Sequence, residues 1–292
     1  MSNLVRAGLE RLKKDKIFWC LIGLAALEAA ILCYSQYQDL QRYRLWAEMM
    51  PENESYVWGL QDASNLRTLL FKWASVIGLS VAVLAGVFCG TDYSDGTIRN
   101  KIIAGHRRRN IYLSGFWLCL AGGLFFAAAF MGTVLLLGLP LFGWQGETTE
   151  TVLFLLDGIL VIAAYAALCN LISMLIPRRT YGLIVNLFVA GVLMIAGMVV
   201  LMRLAEPEFT NRATEIFVNG EPVLNHMPNP LYLSGDARKL FQLLLDILPS
   251  GQGYQIAGLS VWRPEWLWLF SAVFAGAANG VGCRIFAKKD LK

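Results

Sequence analysis

Charge is scarce in this chain: Asp, Glu, Lys and Arg supply 16% of its 292 residues, where soluble domains carry about 25%. Nucleotide-binding signatures are missing altogether. A P-loop needs GxxxxGK[ST], so that backbone amides cradle phosphate and the lysine reaches its far end. Neither "GTDYSDGTIRN" nor "GDARKLF" supplies it, and no GxGxxG occurs. Cysteine is present but not as a framework. Cys20, Cys33, Cys89, Cys119, Cys169 and Cys283 all fall in apolar runs or at their edges, with no CxxC and none in the long polar segments. That excludes a disulfide scaffold or thiolate metal site and leaves small apolar packing residues. Internal repeats and low-complexity tracts are also absent.

What the chain has instead is apolar length. The hydrophobic class makes up 57% of the residues and the mean hydropathy is +0.53. Six runs approach or exceed the roughly 20 residues that cross a bilayer as a helix: 17–36, 69–88, 111–139, 151–176, 181–202 and 265–287. They must be helices, because backbone facing lipid has to satisfy its own hydrogen bonds. A β-barrel is excluded, since the runs are continuously apolar rather than alternating with a period of two. The fold class predicted is therefore an all-α polytopic membrane protein, with 17–292 as a single six-span domain. Residues 1–16 form an amphipathic entry helix, with Val5, Leu9 and Leu12 on one face and lysines on the other. A cleaved signal peptide is disfavoured by the length of the first run and by Glu28 within it.

An even number of spans puts both termini on one side. That side collects most of the basic residues: Arg6 to Lys16, Arg99 to Arg109, Arg178 with Arg179, and Arg284 to Lys292. By the positive-inside rule it is cytoplasmic. The net charge of +4 then needs no nucleic-acid partner. The two histidines, His106 and His226, fall on opposite sides and cannot share a metal; no HExxH occurs either.

The outer side holds two long segments, 37–68 and 203–264. In the second, "EIFVNGEPVLN" sets Asn219-Gly220 between two apolar-bearing runs and predicts a hairpin, with Pro222 confining its second strand to an edge. Asp236 is placed to cap a helix that Pro249 ends. Its Leu240, Leu243, Leu244 and Ile247 share one face, suited to the membrane surface or to packing on the span tops. Trp73, Trp144, Trp262, Trp266 and Trp268 are read at the outer interface and Trp19 at the inner one. Asn53-Glu54-Ser55 is a formal glycosylation sequon of a kind that chance supplies.

Intramembrane carboxylates are costly and face protein or a water-filled cavity. Glu28 lies near mid-membrane and Asp157 about two turns from the outer end of its span. Each is a candidate lining for a translocation path or, in the plainer reading, a hydrogen-bond partner for a residue such as Asn186 or Asn279. Gly276 and Gly280 form a GxxxG pattern, read first as close packing within the chain and second as a dimer contact.

The loop "DYSDGTIRNKIIAGHRRRN" carries the sharpest signal. Ser94, Asp95 or Thr97 is placed to cap a short helix ending at Gly105. That helix would present Ile98, Ile102 and Ile103 beside Arg99 and Lys101, a shape suited to docking on a soluble partner. Arg107, Arg108 and Arg109 suit lipid headgroups.

An apolar span followed by an acidic-aromatic turn and "DGTIRNKIIAGHRRRNIYLSGF" resembles the cytoplasmic loop of ABC transporter permeases of the type-2 exporter family. "NPLYLSGDARKLFQLLLDILPSGQGYQI" resembles the same family in firmicute-like bacteria. The resemblance implies a permease of the bacterial cell membrane, paired with a second permease chain, identical or homologous, and with two copies of a separate ATPase subunit that binds ATP and Mg²⁺. It implies a coupling role for Asp95, Gly96, Thr97, Ile98, Arg99, Asn100 and Lys101, with Ile102 on the same helix. Relatives often place a glutamate before the Gly-Thr pair, where this chain has Asp92 and Asp95. The implied cargo is an amphipathic peptide, an antimicrobial or a lipid-like molecule, and this chain itself would be no enzyme. The alternatives are an ion-coupled secondary transporter using Glu28 and Asp157, or a non-transporting sensor or anchor.

Overall fold

The computed structural model describes residues 1–50, 54–144, 148–218, 221–261 and 264–289. Of the expectations above, the Asn219-Gly220 turn, Trp262 and Asn53 lie outside the described residues. Six helical stretches are long and apolar enough to cross a membrane: Lys16–Met49, Leu66–Ser94, Arg108–Phe142, Thr149–Leu175, Arg179–Ala205 and Trp266–Lys288. The fold is an all-α polytopic one, as the sequence implies.

Entry helix α1 (Ser2–Lys14) turns at Asp15 into α2 (Lys16–Met49). The Asp15 carboxylate caps α2 by accepting from the Ile17 and Phe18 amides at 2.7 and 3.2 Å. Helix α2 does not stop at the membrane surface. Its 34 residues measure about 51 Å at 1.5 Å each, so part of the predicted outer segment is a continuation of the first span. Helix α3 (Glu54–Ala63) folds back onto it. The Gln36 amide donates to the Ala63 and Asn65 carbonyls and fixes that return.

The second span is broken. Helix α4 (Leu66–Leu70) ends in a tight turn through Phe71 and Lys72, and α5 (Trp73–Ser94) continues from there. Trp73, expected at the interface, is fully buried because the break turns it inward under Gly158. Trp19, Trp144, Trp266 and Trp268 are exposed.

Helix α5 is the most buried span and the axis of the bundle. After α6 (Thr97–Ile103) and α7 (Arg108–Phe142), it is flanked by α8 (Thr148–Leu175) and α9 (Arg179–Ala205). Its sequence explains this. Gly78, Ala82, Gly86 and Gly90 recur every four residues, a stripe of small side chains that lets neighbouring backbones approach. A Cβ on Gly86 would stand 2.7 Å from the Leu183 Cα, and one on Gly90 2.9 Å from the Arg179 Cα. The GxxxG of the last helix, α12 (Pro264–Lys288), behaves otherwise. Among the described residues nothing lies within 4 Å of a Cβ built on Gly276 or Gly280, so these two glycines form no close packing contact there.

Between α9 and α12 stand β1 (Phe209–Val218) and β2 (Glu221–Pro228), an antiparallel pair, then α10 (Gly235–Ile247) and α11 (Pro249–Ala257). The Asn229 side chain closes the base of the hairpin, donating to Glu206 and the Pro207 carbonyl and accepting from the Leu231 amide. Ser234, not Asp236, stands at the N-cap of α10; Asp236 pairs with Lys239. Leu240, Leu243, Leu244 and Ile247 remain exposed, while Leu245 turns inward.

Pro249 ends α10 and opens α11 as its first residue, where a missing amide costs nothing. Although α11 reads as polar and glycine-rich, it is buried among α5, α8, α9 and α10. Its glutamines are satisfied internally. Gln252 donates to the Asp246 carbonyl at 2.5 Å and accepts from Ser271, and Gln255 donates to the Asp246 carboxylate at 3.0 Å.

Both ends of the chain meet the same end of α5, where Arg11 and Lys289 reach its last turn. This is the basic end of the bundle. Helix α7 meets α1 at Leu118, against Gly8, and meets α4 at Gly138, against Leu66. The interval between those contacts is about 30 Å at 1.5 Å per residue, the thickness of a bilayer's hydrocarbon core.

Candidate functional site

The turn between α5 and α7 is built by its glycines. Helix α5 must give way to α6 within two residues, which calls for a left-handed residue, and Gly96 adopts φ +65° there. It also takes the N-cap position, so the expected side-chain cap from Ser94, Asp95 or Thr97 does not form. The Ser94 hydroxyl instead bonds the Thr91 carbonyl and the Asp95 carboxylate. The far end matches expectation. Gly105, at φ +84°, stops the helix; its amide reaches the Ile102 carbonyl at 2.9 Å, and the His106 amide reaches that of Lys101 at 3.1 Å. Those two bonds satisfy the last carbonyls in a Schellman arrangement.

Which face α6 shows outward differs from the expected one. Ile98 is only 2% exposed and Ile102 packs against the core, because residues four apart share a helix face and this face looks inward. Ile103, at 77% exposed, is the apolar residue left outside. Arg99, Asn100 and Asp95 stand exposed around it, with Thr97 and Gly96 half-buried. The outward patch is thus one isoleucine within a polar and basic frame.

Asp92 and Lys101 also face inward. Asp92 is 5% exposed, and its carboxylate takes the Lys101 ammonium at 2.7 Å on one oxygen and the Arg11 guanidinium on the other. Arg11 donates further to the Phe88 carbonyl at 3.2 Å and lies 4.9 Å from the Phe88 ring centroid. One buried carboxylate therefore joins α1, α5 and α6. Of the two aspartates, Asp92 is committed inside the chain and Asp95 is open to a partner.

A second tie holds the chain's end. The Tyr93 hydroxyl donates to the Met174 carbonyl at 2.6 Å. The Lys289 ammonium lies 3.0 and 2.9 Å from the Met174 and Leu175 carbonyls, 3.1 Å from the Tyr93 oxygen and 4.7 Å from its ring centroid. Burial lowers the Lys289 pKa below the ordinary lysine value. Arg108 donates to the Ala287 and Lys289 carbonyls, so it is engaged within the chain while Arg107 and Arg109 remain exposed. Arg109 borders an open groove of 570 Å³, with Gly276, Gly280 and Asn279 on its other wall. No sequence motif links Arg11 to Asp92 across 81 positions, or Lys289 to Tyr93 across 196.

Glu28 and Asp157 are not brought together. Helix α2 packs chiefly on α7 and α3, while α8 packs on α12, α5 and α7. Glu28 is half-buried; Asp157 is 7% exposed and has no hydrogen-bond partner among the described residues. Asn186 is bonded to the Ser173 hydroxyl at 2.6 Å, and Asn279 faces the groove beside Arg109, so neither serves as a partner for these carboxylates.

Comparison with protein-family models gives no match, and no curated protein matches the chain.

Proposed function

We propose that the chain is the permease subunit of an ATP-driven exporter in a bacterial cell membrane, with ATP and Mg²⁺ bound by two copies of a separate ATPase subunit. A second permease chain, identical or homologous, would complete the path, and the cargo would be an amphipathic peptide, an antimicrobial or a lipid-like molecule. The observation that carries this reading is the state of α6. It is a short helix rooted by Ile98 and by the Asp92 ion pairs, presenting Asp95, Arg99, Asn100 and Ile103 outward at the basic end. A rooted helix with an exposed tip passes a push from a soluble partner into α5, the axis of the bundle, and so into a rigid-body shift of the spans. The resemblance of "DGTIRNKIIAG" to the coupling loop of type-2 exporters supports the same assignment.

The test is co-purification of the tagged protein from its native host, followed by mass spectrometry and ATPase assay. A P-loop ATPase is expected in the eluate. Ile103→Asp and Arg99→Glu, which change only outward side chains, should each release it. Recovery of no ATPase, or unchanged association in both variants, would sink the proposal. Asp157 supports a second reading, since a buried carboxylate facing protein suits proton coupling. Transport that follows the proton gradient, needs no ATP and is lost in Asp157→Asn would establish that reading instead.

A further inference from the structure

The elbow between α1 and α2 encloses a groove of 810 Å³ against α7. Its walls are apolar: Leu9, Phe18, Trp19 and Ile22 on the elbow side, Phe125 and three alanines on α7. The alanines make the space. Ala121, Ala128 and Ala129 leave room where larger side chains would close α7 onto the elbow, and from Ala121 to Ala129 the helix advances about 12 Å. The groove therefore starts at the level of α1 and runs along α7 toward the bilayer centre, the course of an acyl chain.

Its mouth is basic. Arg6 and Lys13 stand at the rim. Lys13 pairs with Glu10 at 3.3 Å in an exposed contact, and Arg6 makes no ion pair among the described residues. The rim is held in shape. The Trp19 indole donates to the Lys13 carbonyl at 2.7 Å, Asp15 caps α2, and the Phe18 ring meets that of Phe125 edge-on at 5.9 Å.

We propose that this elbow is a binding site for one anionic glycerophospholipid of the leaflet at the basic end. An acyl chain lies in the groove along Ala121 to Ala129, and the phosphate sits between Arg6 and Lys13. Both parts of that ligand are needed to match the site. The apolar channel alone would accept any chain, and exposed basic residues alone would attract anionic headgroups without fixing one in place. The assignment does not rest on the transport reading; an exporter, a secondary transporter or an anchor could carry it equally.

The test is native mass spectrometry of the full chain released from nanodiscs of equimolar phosphatidylglycerol and phosphatidylcholine. The expected result is one retained phosphatidylglycerol in at least fivefold preference. Arg6→Gln with Lys13→Gln should abolish the preference, and Ala128→Trp, which fills the groove from a lipid-facing position, should abolish retention. Leu141→Trp, an exposed position about 18 Å beyond Ala129 along α7, should leave both unchanged and shows that a tryptophan on α7 is tolerated. Equal retention of the two lipids by the wild type would overturn the proposal. So would persistence of the preference in Ala128→Trp, or its loss in Arg107→Gln with Arg109→Gln while Arg6→Gln with Lys13→Gln keeps it.

Discussion

Asp92→Asn isolates the tie that joins the entry helix to the turn. The carboxylate is 5% exposed and faces two cations, Lys101 at 2.7 Å and Arg11. Asparagine keeps the shape and removes the charge, leaving those cations close together with only carbonyl oxygens to receive them. Removing one partner from a buried ion pair costs about 3–5 kcal/mol. Arg11 keeps 38% of its side-chain surface in contact with solvent, so part of that penalty is relieved by water. A net cost of about 2–3 kcal/mol remains, read mostly as local opening of α1 and α6 rather than loss of the bundle, because the spans pack without this contact. Amide exchange in residues 2–16 and 96–105 should then quicken by roughly 30- to 150-fold, at about 1.4 kcal/mol per factor of ten, while α8 and α9 stay protected. Replacing Lys101 as well, in Asp92→Asn with Lys101→Met, removes one of the two uncompensated cations and should recover a large part of the protection. Unchanged exchange in Asp92→Asn would show that the ion pairs do not hold these helices together.

Two further changes test the packing logic. Gly86→Leu drives a side chain into the backbone of α9 and should cost about 3 kcal/mol or more, read as loss of monodisperse protein in detergent. Gly276→Leu faces open space and should be tolerated, so equal damage from both would refute the assignment of the close-packed stripe to α5. Gly96→Ala meets no neighbouring atom but must keep a φ of +65°, which costs about 1–2 kcal/mol for a residue with a Cβ. Faster exchange confined to α6 is the expected signature, and normal exchange there would show that the turn relaxes without strain.

The spans are legible because continuous apolar length has one physical outcome in a bilayer, and the hairpin because its two runs flank a turn dipeptide. The ends of α6 are half legible. Gly105 signals the stop plainly, but the start depends on a two-residue junction that forces a glycine where a capping side chain was expected. Its buried face is not legible, since Ile98, Ile102 and Ile103 lie around both sides of a seven-residue helix and only the position of α5 decides between them. The overrun of α2 has a different cause. The polarity change near Gln36 marks where lipid ends, not where the helix ends, and no glycine or proline falls between Gly23 and Pro51 to stop it. Helix α11 hides for the opposite reason. Glycine and glutamine read as surface, yet here glycine allows close approach and each glutamine finds its partners inside the fold.

The length of α2 has a mechanical meaning. About 13 of its residues extend past the hydrocarbon, an overhang of about 20 Å at 1.5 Å per residue. Its lower end is held at the elbow by Asp15 and Trp19, and its upper part carries α3 folded back on it. A tilt of about 10° about the point where α2 leaves the hydrocarbon swings the Met49 tip by about 3.5 Å over that overhang. Small angular changes among the spans would therefore become ångström-scale displacements at the Met49 tip, while Gln36 and the buried Leu40 hold the base of the overhang against the bundle.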